Sequence, residues 1–200
     1  MPASTGQTSY KKNNIYLRTA VDTIRQGFSG ESRLRLIINS SSMTPMLRPG
    51  DAVVVQPVVW SALYPGDLVV VHCGGELITH RLISMDKDNL ITKGDSSAYP
   101  DMPIPKDEFM GRVAAIERKG DVWDMQTKRW KLYNRMAGKI SQLEAKLLHV
   151  AKCLSRGIRL QGKIGERTAS AVKFFFSLPF GLAERVLLLI VAKSKYPAHC

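Results

Sequence analysis

Between residues 34 and 116 short apolar runs alternate with turn residues, and that rhythm restricts the possible folds more than any other feature. The runs are 34–38, 52–58, 68–72, 76–83, 90–92 and 111–116, most of them rich in Val and Ile. Between them stand Pro49-Gly50-Asp51, Tyr64-Pro65-Gly66-Asp67, Gly74-Gly75, the polar stretch 86–89 and the proline-rich stretch 96–105. Such residues punctuate chains because proline pre-sets a turn and glycine enters backbone regions closed to other residues. Helical runs do not alternate with these strands, and no glycine-rich phosphate loop occurs, so the expectation is a mainly β core. Gly74-Gly75 is a two-residue hairpin signal and sets a register. Cys73 then stands opposite Glu76, His72 opposite Leu77 and Val69 opposite His80. Cross-strand partners share a face, so His80 lies with Val69 and Val71 while His72 points the other way.

The pattern changes after Lys119-Gly120. From 130 to 154 apolar residues recur at Leu132, Met136, Ile140, Leu143, Leu147 and Val150, in steps of three or four that predict an amphipathic helix. Lys131, Arg135, Lys139 and Lys146 occupy its polar side. A further apolar stretch, 169–192, is broken by Pro179-Phe180-Gly181. At the other end, 1–14 reads as a disordered start and 15–27 as a short amphipathic helix. The expected organisation is therefore an N-terminal tail with a short helix (1–33), a β domain (34–119) and a basic helical region (120–200).

The charge supports this division. The net charge is +12, yet residues 1–117 hold 12 Lys+Arg against 12 Asp+Glu, whereas 118–200 hold 17 against 5. A basic segment seeks phosphate, on lipid or on nucleic acid. With Phe174–Phe176 and 187–190 as apolar payload, and Trp130 and Tyr133 suited to a headgroup zone, an anionic membrane surface is the expected partner of 120–200. Nucleic acid ranks below it, since neither an aromatic stacking strand nor a helix-turn-helix is evident. No run reaches the ~20 apolar residues of a membrane span, and no secretory signal opens the chain. Peripheral membrane association is the expected location, with the cytoplasm as alternative. Cys73, Cys153 and Cys200 are too scattered for a disulfide framework or a zinc site.

Chemistry is concentrated in Asn39-Ser40-Ser41-Ser42-Met43-Thr44-Pro45-Met46-Leu47-Arg48-Pro49-Gly50-Asp51. It offers a hydroxyl at the end of an apolar run, in a loop stiffened by two prolines, and fixed presentation is what a nucleophile requires. By itself such a serine more often caps a turn, and a lone histidine in a strand more often serves packing.

Three segments in order lift this reading. Ser42-Met43-x-Pro45 with Pro49-Gly50-Asp51, then Ile78-Thr79-His80-Arg81-Leu82, then Lys93-Gly94-Asp95-Ser96-Ser97 with Asp101, together resemble the signal peptidase family over roughly residues 34–118. The resemblance implies a serine endopeptidase on a signal-peptidase or repressor-protease type of β fold, acting on a leader or signal segment of an extended peptide or preprotein. Its implied nucleophile is Ser42. His80 is the implied general base, at the position where the bacterial branch has lysine and the archaeal and endoplasmic-reticulum branch has histidine. The implied orienting carboxylate is Asp101 or Asp95, with Asp101 preferred. The backbone N–H of Ser42 and the hydroxyl of Ser40 would hold the oxyanion. No metal or organic cofactor is suggested. The chain departs from the pattern at Ser41, where some relatives have glycine, and at Ser96-Ser97, where Asn-Asn is usual. Two alternatives accompany this reading: a soluble leader-processing or self-cleaving protease, and a non-catalytic module that binds lipid or nucleic acid through its basic tail.

Overall fold

A computed structural model describes residues 31–157 together with 182, 185–189 and 191, the side chains of 149 and 151–157 excepted. The segments expected as a disordered start (1–14) and a short helix (15–27) lie outside the described residues, as does most of 169–192.

Among the described residues eight strands make one antiparallel sheet: β1 (Leu34–Ile37), β2 (Ala52–Gln56), β3 (Leu68–Cys73), β4 (Glu76–Met85), β5 (Asn89–Lys93), β6 (Ile104–Pro105), β7 (Phe109–Arg118) and β8 (Asp121–Asp124). Their order is β1-β2-β7-β3-β4-β5-β6, with β8 also paired to β7. β2 stops at Gln56 because Pro57 has no N–H to give the ladder. The β3–β4 hairpin takes the register expected from Gly74-Gly75: Val69 faces His80, His72 faces Leu77, and Cys73 faces Glu76.

The sheet continues past the expected limit at residue 119. Lys119 and Gly120 both adopt positive φ (50° and 88°), forming the turn of a hairpin that returns the chain as β8. Lys119-Gly120 is a corner within the β domain. Only then does the helix α1 (Lys128–Gly157) begin.

Two apolar clusters fill the fold. One, on the α1 side, joins Met43, Met46 and Leu47 of the β1–β2 loop to Val53, Val55, Leu68, Val70 and Ile116 of the sheet and to Trp130, Tyr133 and Ala137 of α1. Leu188 also belongs to it. The other gathers Leu63, Val69, Val71, Leu82, Leu90 and Ile104. Burying an apolar side chain of this size contributes roughly 1.5–3 kcal/mol, so Met43, Met46 and Leu47 bind the β1–β2 loop firmly to the core.

α1 turns a different face to the sheet than its apolar periodicity suggests. Leu132, Met136, Leu143 and Val150 are exposed, while Trp130, Tyr133, Asn134, Ala137, Ser141, Glu144 and Leu148 are buried. The sheet beneath offers the fully buried cations Arg81 and Lys93, and Asn134 and Glu144 are the groups that meet them. A buried charge without a partner costs far more than an exposed leucine, so polar complementarity decides which way the helix faces. The approach is close. A Cβ on Gly66 would fall 2.2 Å from the Asn134 carbonyl oxygen, and one on Gly138 2.6 Å from the Gly66 Cα. Larger residues at these contacts would force α1 away from the turn.

Candidate active site

Ser42, His80 and Asp101 come from three separate segments. Ser42 sits in the β1–β2 loop, His80 in β4 and Asp101 in the loop after β5. Ser42 Oγ is 3.1 Å from His80 Nε2, and His80 Nδ1 is 2.6 Å from Asp101 Oδ2. The chain of contacts hydroxyl–imidazole–carboxylate is continuous.

Neighbouring groups decide where its protons sit. Burial alone would push the Asp101 carboxyl up, but hydrogen bonds from His80 and Thr92 and the charges of His80 and Lys93 outweigh it, and the group lies below the usual carboxylate range. Asp101 is therefore an acceptor. It takes the Nδ1–H of His80 and, at 2.5 Å, the hydroxyl proton of Thr92. In the tautomer that carries its proton on Nδ1, the ring leaves Nε2 free to accept from the Ser42 hydroxyl. The backbone N–H of Asp101 also donates to the Thr92 carbonyl at 2.8 Å, which pins the loop to β5.

The serine is clamped as well. Its carbonyl oxygen accepts from both the N–H and the Oγ–H of Ser96, each at 2.9 Å. Ser96 Oγ also approaches the Ser41 carbonyl at 3.0 Å. Farther along, Asp51 receives the Arg48 N–H and a two-pronged contact from Arg118, whose Nη2 reaches Asp51 Oδ2 at 2.6 Å and the Met46 carbonyl at 2.8 Å. Burial would raise the Asp51 carboxyl, yet the hydrogen bonds from Arg118 and Arg48 hold it below its ordinary value. Asp51, which as part of a Gly-Asp pair reads as ordinary turn chemistry, thus fastens the far end of the serine loop to β7. Gly94 fits between the three segments. A Cβ there would lie 2.7 Å from the Ser42 carbonyl oxygen and 3.2 Å from His80 Nε2.

Ser40, the other hydroxyl implied by the resemblance, is exposed, with Oγ 3.2 Å from Ser42 Oγ. Asp95 lies elsewhere. Its two oxygens accept from Arg81 Nε and Nη2, both at 2.7 Å, and both side chains are fully buried. The fork of a guanidinium matches a carboxylate on two bonds at once, and that pairing leaves Asp95 directed at Arg81. The expectation that Asp95 could orient His80 is corrected by this contact. Adjacent residues on a strand point to opposite faces, so as His80 faces Ser42, Arg81 faces α1 and takes Asp95 with it. Arg81 Nη1 completes its bonds on the Gly66 carbonyl and Asn134 Oδ1.

Sequence reasoning assigned no role to Thr92, Gly94 or Ser96. Thr92 was beyond its reach: a bulge between Leu82 and Ser84 sets Thr92 opposite Leu82, on the His80 face, where a regular register would set it opposite Ile83. Beside Asp101 a groove of about 360 Å³ is lined by Ile78, Met102, Pro103, Ile104 and Pro105, and also by Cys73, Gly74 and the paired His72 and Glu108.

An antiparallel β fold with a serine hydroxyl bonded to a histidine, itself bonded to an aspartate, has the make-up of a serine peptidase. A family model described as Peptidase S24-like matches residues 2–114, more than half of the chain. The protein belongs to the Peptidase S24-like family, within the superfamily that includes repressor-type proteases and signal peptidases. No curated protein matches it. Among the described residues no group of His, Cys, Asp or Glu has the arrangement of a metal site, and no helix is long and apolar enough to cross a membrane.

Proposed function

We propose that the chain is a serine endopeptidase of the signal peptidase type, which cleaves a leader or signal segment from an extended peptide. The observation that carries the reading is the 3.1 Å contact of Ser42 Oγ with an imidazole whose other nitrogen is tied to a carboxylate at 2.6 Å. In this mechanism Ser42 attacks the scissile carbonyl and His80 takes its proton. Asp101 stabilises the imidazolium that results and keeps the ring aligned. The N–H of Ser42 and the hydroxyl of Ser40 receive the negative oxygen, and one such donor is worth about 10²–10³ in rate. Collapse of the tetrahedral species expels the amine, which leaves with the proton from His80. Water, activated by the same histidine, then hydrolyses the acyl-enzyme. The apolar groove beside Asp101 supports a substrate bound in extended form, and the family resemblance points to small side chains next to the cleaved bond.

The test is incubation of the full chain with leader-bearing peptides, with the new ends read by mass spectrometry. Cleavage beside a small residue is expected, and Ser42→Ala should remove it without altering the melting curve. Cleavage that persists in Ser42→Ala sinks the proposal. A second reading, a soluble leader-processing or self-cleaving enzyme, is favoured by the family match, because that superfamily includes repressor-type proteases. Self-cleavage would appear as shortening of the purified chain alone, absent from the same Ser42→Ala variant. Labelling of Ser42 by a serine-directed acylating probe separates both readings from a non-catalytic module.

A further inference from the structure

The outward face of α1 carries two kinds of residue. Leu132, Met136, Leu143 and Val150 are 59, 42, 50 and 53 % exposed and form a stripe at helical spacing. Lys128, Lys131, Arg135, Lys139 and Lys146 are exposed on the same helix. Over its whole length α1 has eight Lys and Arg against one acidic residue, Glu144. That residue faces inward, with its carboxylate 2.8 Å from Lys93 Nζ. The solvent side of α1 is thus cationic and apolar together, with no acidic side chain in the exposed set.

We infer that this face is a docking surface for an anionic lipid bilayer, lying flat in the headgroup layer with the stripe immersed and the cations among the phosphates. Charge selects this occupant over the others. A second copy of the helix would set lysine rows against lysine rows, with nothing acidic outside to relieve them. Nucleic acid would satisfy the cations but leave four large apolar side chains facing phosphates and water. The chain's own C-terminal part is engaged elsewhere as far as it is described, since Leu187, Leu188 and Val191 join the inner cluster with Trp130 and Tyr133. Leu182, Val186 and Leu189 are exposed as well.

The experiment is flotation of the full chain with vesicles of phosphatidylcholine alone and with an equal mixture of phosphatidylcholine and phosphatidylglycerol. Binding to the anionic vesicles only is expected. The triple variant Lys131→Glu, Lys139→Glu, Lys146→Glu should weaken it by at least ~100-fold, since each cation near an anionic surface is worth about fivefold. The triple variant Leu132→Ser, Met136→Ser, Leu143→Ser should also abolish flotation while melting at the wild-type temperature. The inference is overturned if the wild type ignores anionic vesicles, or if the serine variant floats as well as the wild type. It is equally overturned if the serine variant melts early, which would mean the stripe is covered by the chain itself. A wild-type dimer that the serine variant dissociates, or duplex DNA binding that only the glutamate variant loses, would reassign the face to those partners. Ser42→Ala should float like the wild type, so this inference and the peptidase reading fail separately.

Discussion

His72 and His80 stand on one β-hairpin, both are buried, and each presents Nδ1 to a carboxylate oxygen, Glu108 at 2.7 Å and Asp101 at 2.6 Å. Their other nitrogens differ. His80 Nε2 meets the Ser42 hydroxyl, whereas His72 Nε2 is buried with no hydrogen-bond partner among the described residues. A carboxylate can fix the tautomer of an imidazole in either place, but only a hydroxyl on the far side gives the ring a proton to move. Strand alternation decides which histidine receives it. The two residues lie on opposite faces of the hairpin, and the β1–β2 loop brings Ser42 to one face alone. Under the proposed peptidase reading the chemistry belongs to the meeting of three segments, since a histidine–carboxylate pair recurs in the same hairpin without a hydroxyl on its far side.

The largest expected effect divides the two histidines. His80→Ala should lower leader-peptide cleavage by on the order of 10⁴-fold or more, as loss of a general base does elsewhere. His72→Ala should leave kcat within a few-fold, measured on the same peptide. Equal losses from both, with unchanged melting curves, would dissolve the distinction. Their carboxylates should divide in the same way at smaller scale. Asp101→Asn is expected to reduce kcat by about 10³–10⁴, because the amide cannot hold the ring in the tautomer that accepts from serine. Glu108→Gln should not, and a steady-state comparison of the two variants checks it.

Much of this was legible in the sequence. The Gly74-Gly75 loop has room for one register, and that register by itself separates His80 from His72. The choice between Asp95 and Asp101 was not, because both follow His80 in one short polar segment and motif spacing carries no direction. What settles it is Arg81, which strand alternation turns away from the serine and whose guanidinium fork takes Asp95 with it. Trp130 and Tyr133, expected in a headgroup zone, are buried on the inner face of α1 instead, for a related reason. Periodicity registers where leucine recurs, but it does not register that the sheet beneath presents Arg81 and Lys93. Lys119-Gly120 looked like a boundary because a turn pair marks a hairpin and a domain end with the same residues.

The buried pair Lys93–Glu144 sharpens the contrast from the stability side. Lys93 adjoins Gly94, which lies against Ser42 and His80, so the Glu144 contact ties α1 to the loop that follows β5. Breaking a buried ion pair by removing one partner strands the other charge, so Lys93→Met or Glu144→Leu alone should destabilise the fold by about 3–5 kcal/mol in urea unfolding. The double variant should recover most of that loss, since two apolar residues of similar volume leave no charge uncompensated. Additive losses would show that the two side chains act independently, and that α1 does not support the loop by this contact.

The smallest effect is a difference of sign in acid. Asp101 lies below the usual carboxylate range in the folded chain, so it contributes stability above the ordinary aspartate pKa and loses it as pH falls through the folded value. Glu144 is displaced the other way. Its burial outweighs the hydrogen bond and charge of Lys93, and the nearby charge of Asp95 adds to the upward push. A folded state that binds the proton more tightly gains stability as pH falls through the raised value, and loses it as pH climbs from the ordinary glutamate range. Urea midpoints followed through the acid range should therefore show a shallower decline at the lowest pH in Asp101→Asn than in the wild type. In Glu144→Gln the loss with rising pH, just above the ordinary glutamate range, should disappear. Parallel profiles for the two variants would mean that the carboxylate on the histidine and the carboxylate under the helix experience the same environment, and the contrast between an open reactive cluster and a sealed structural one would go with it.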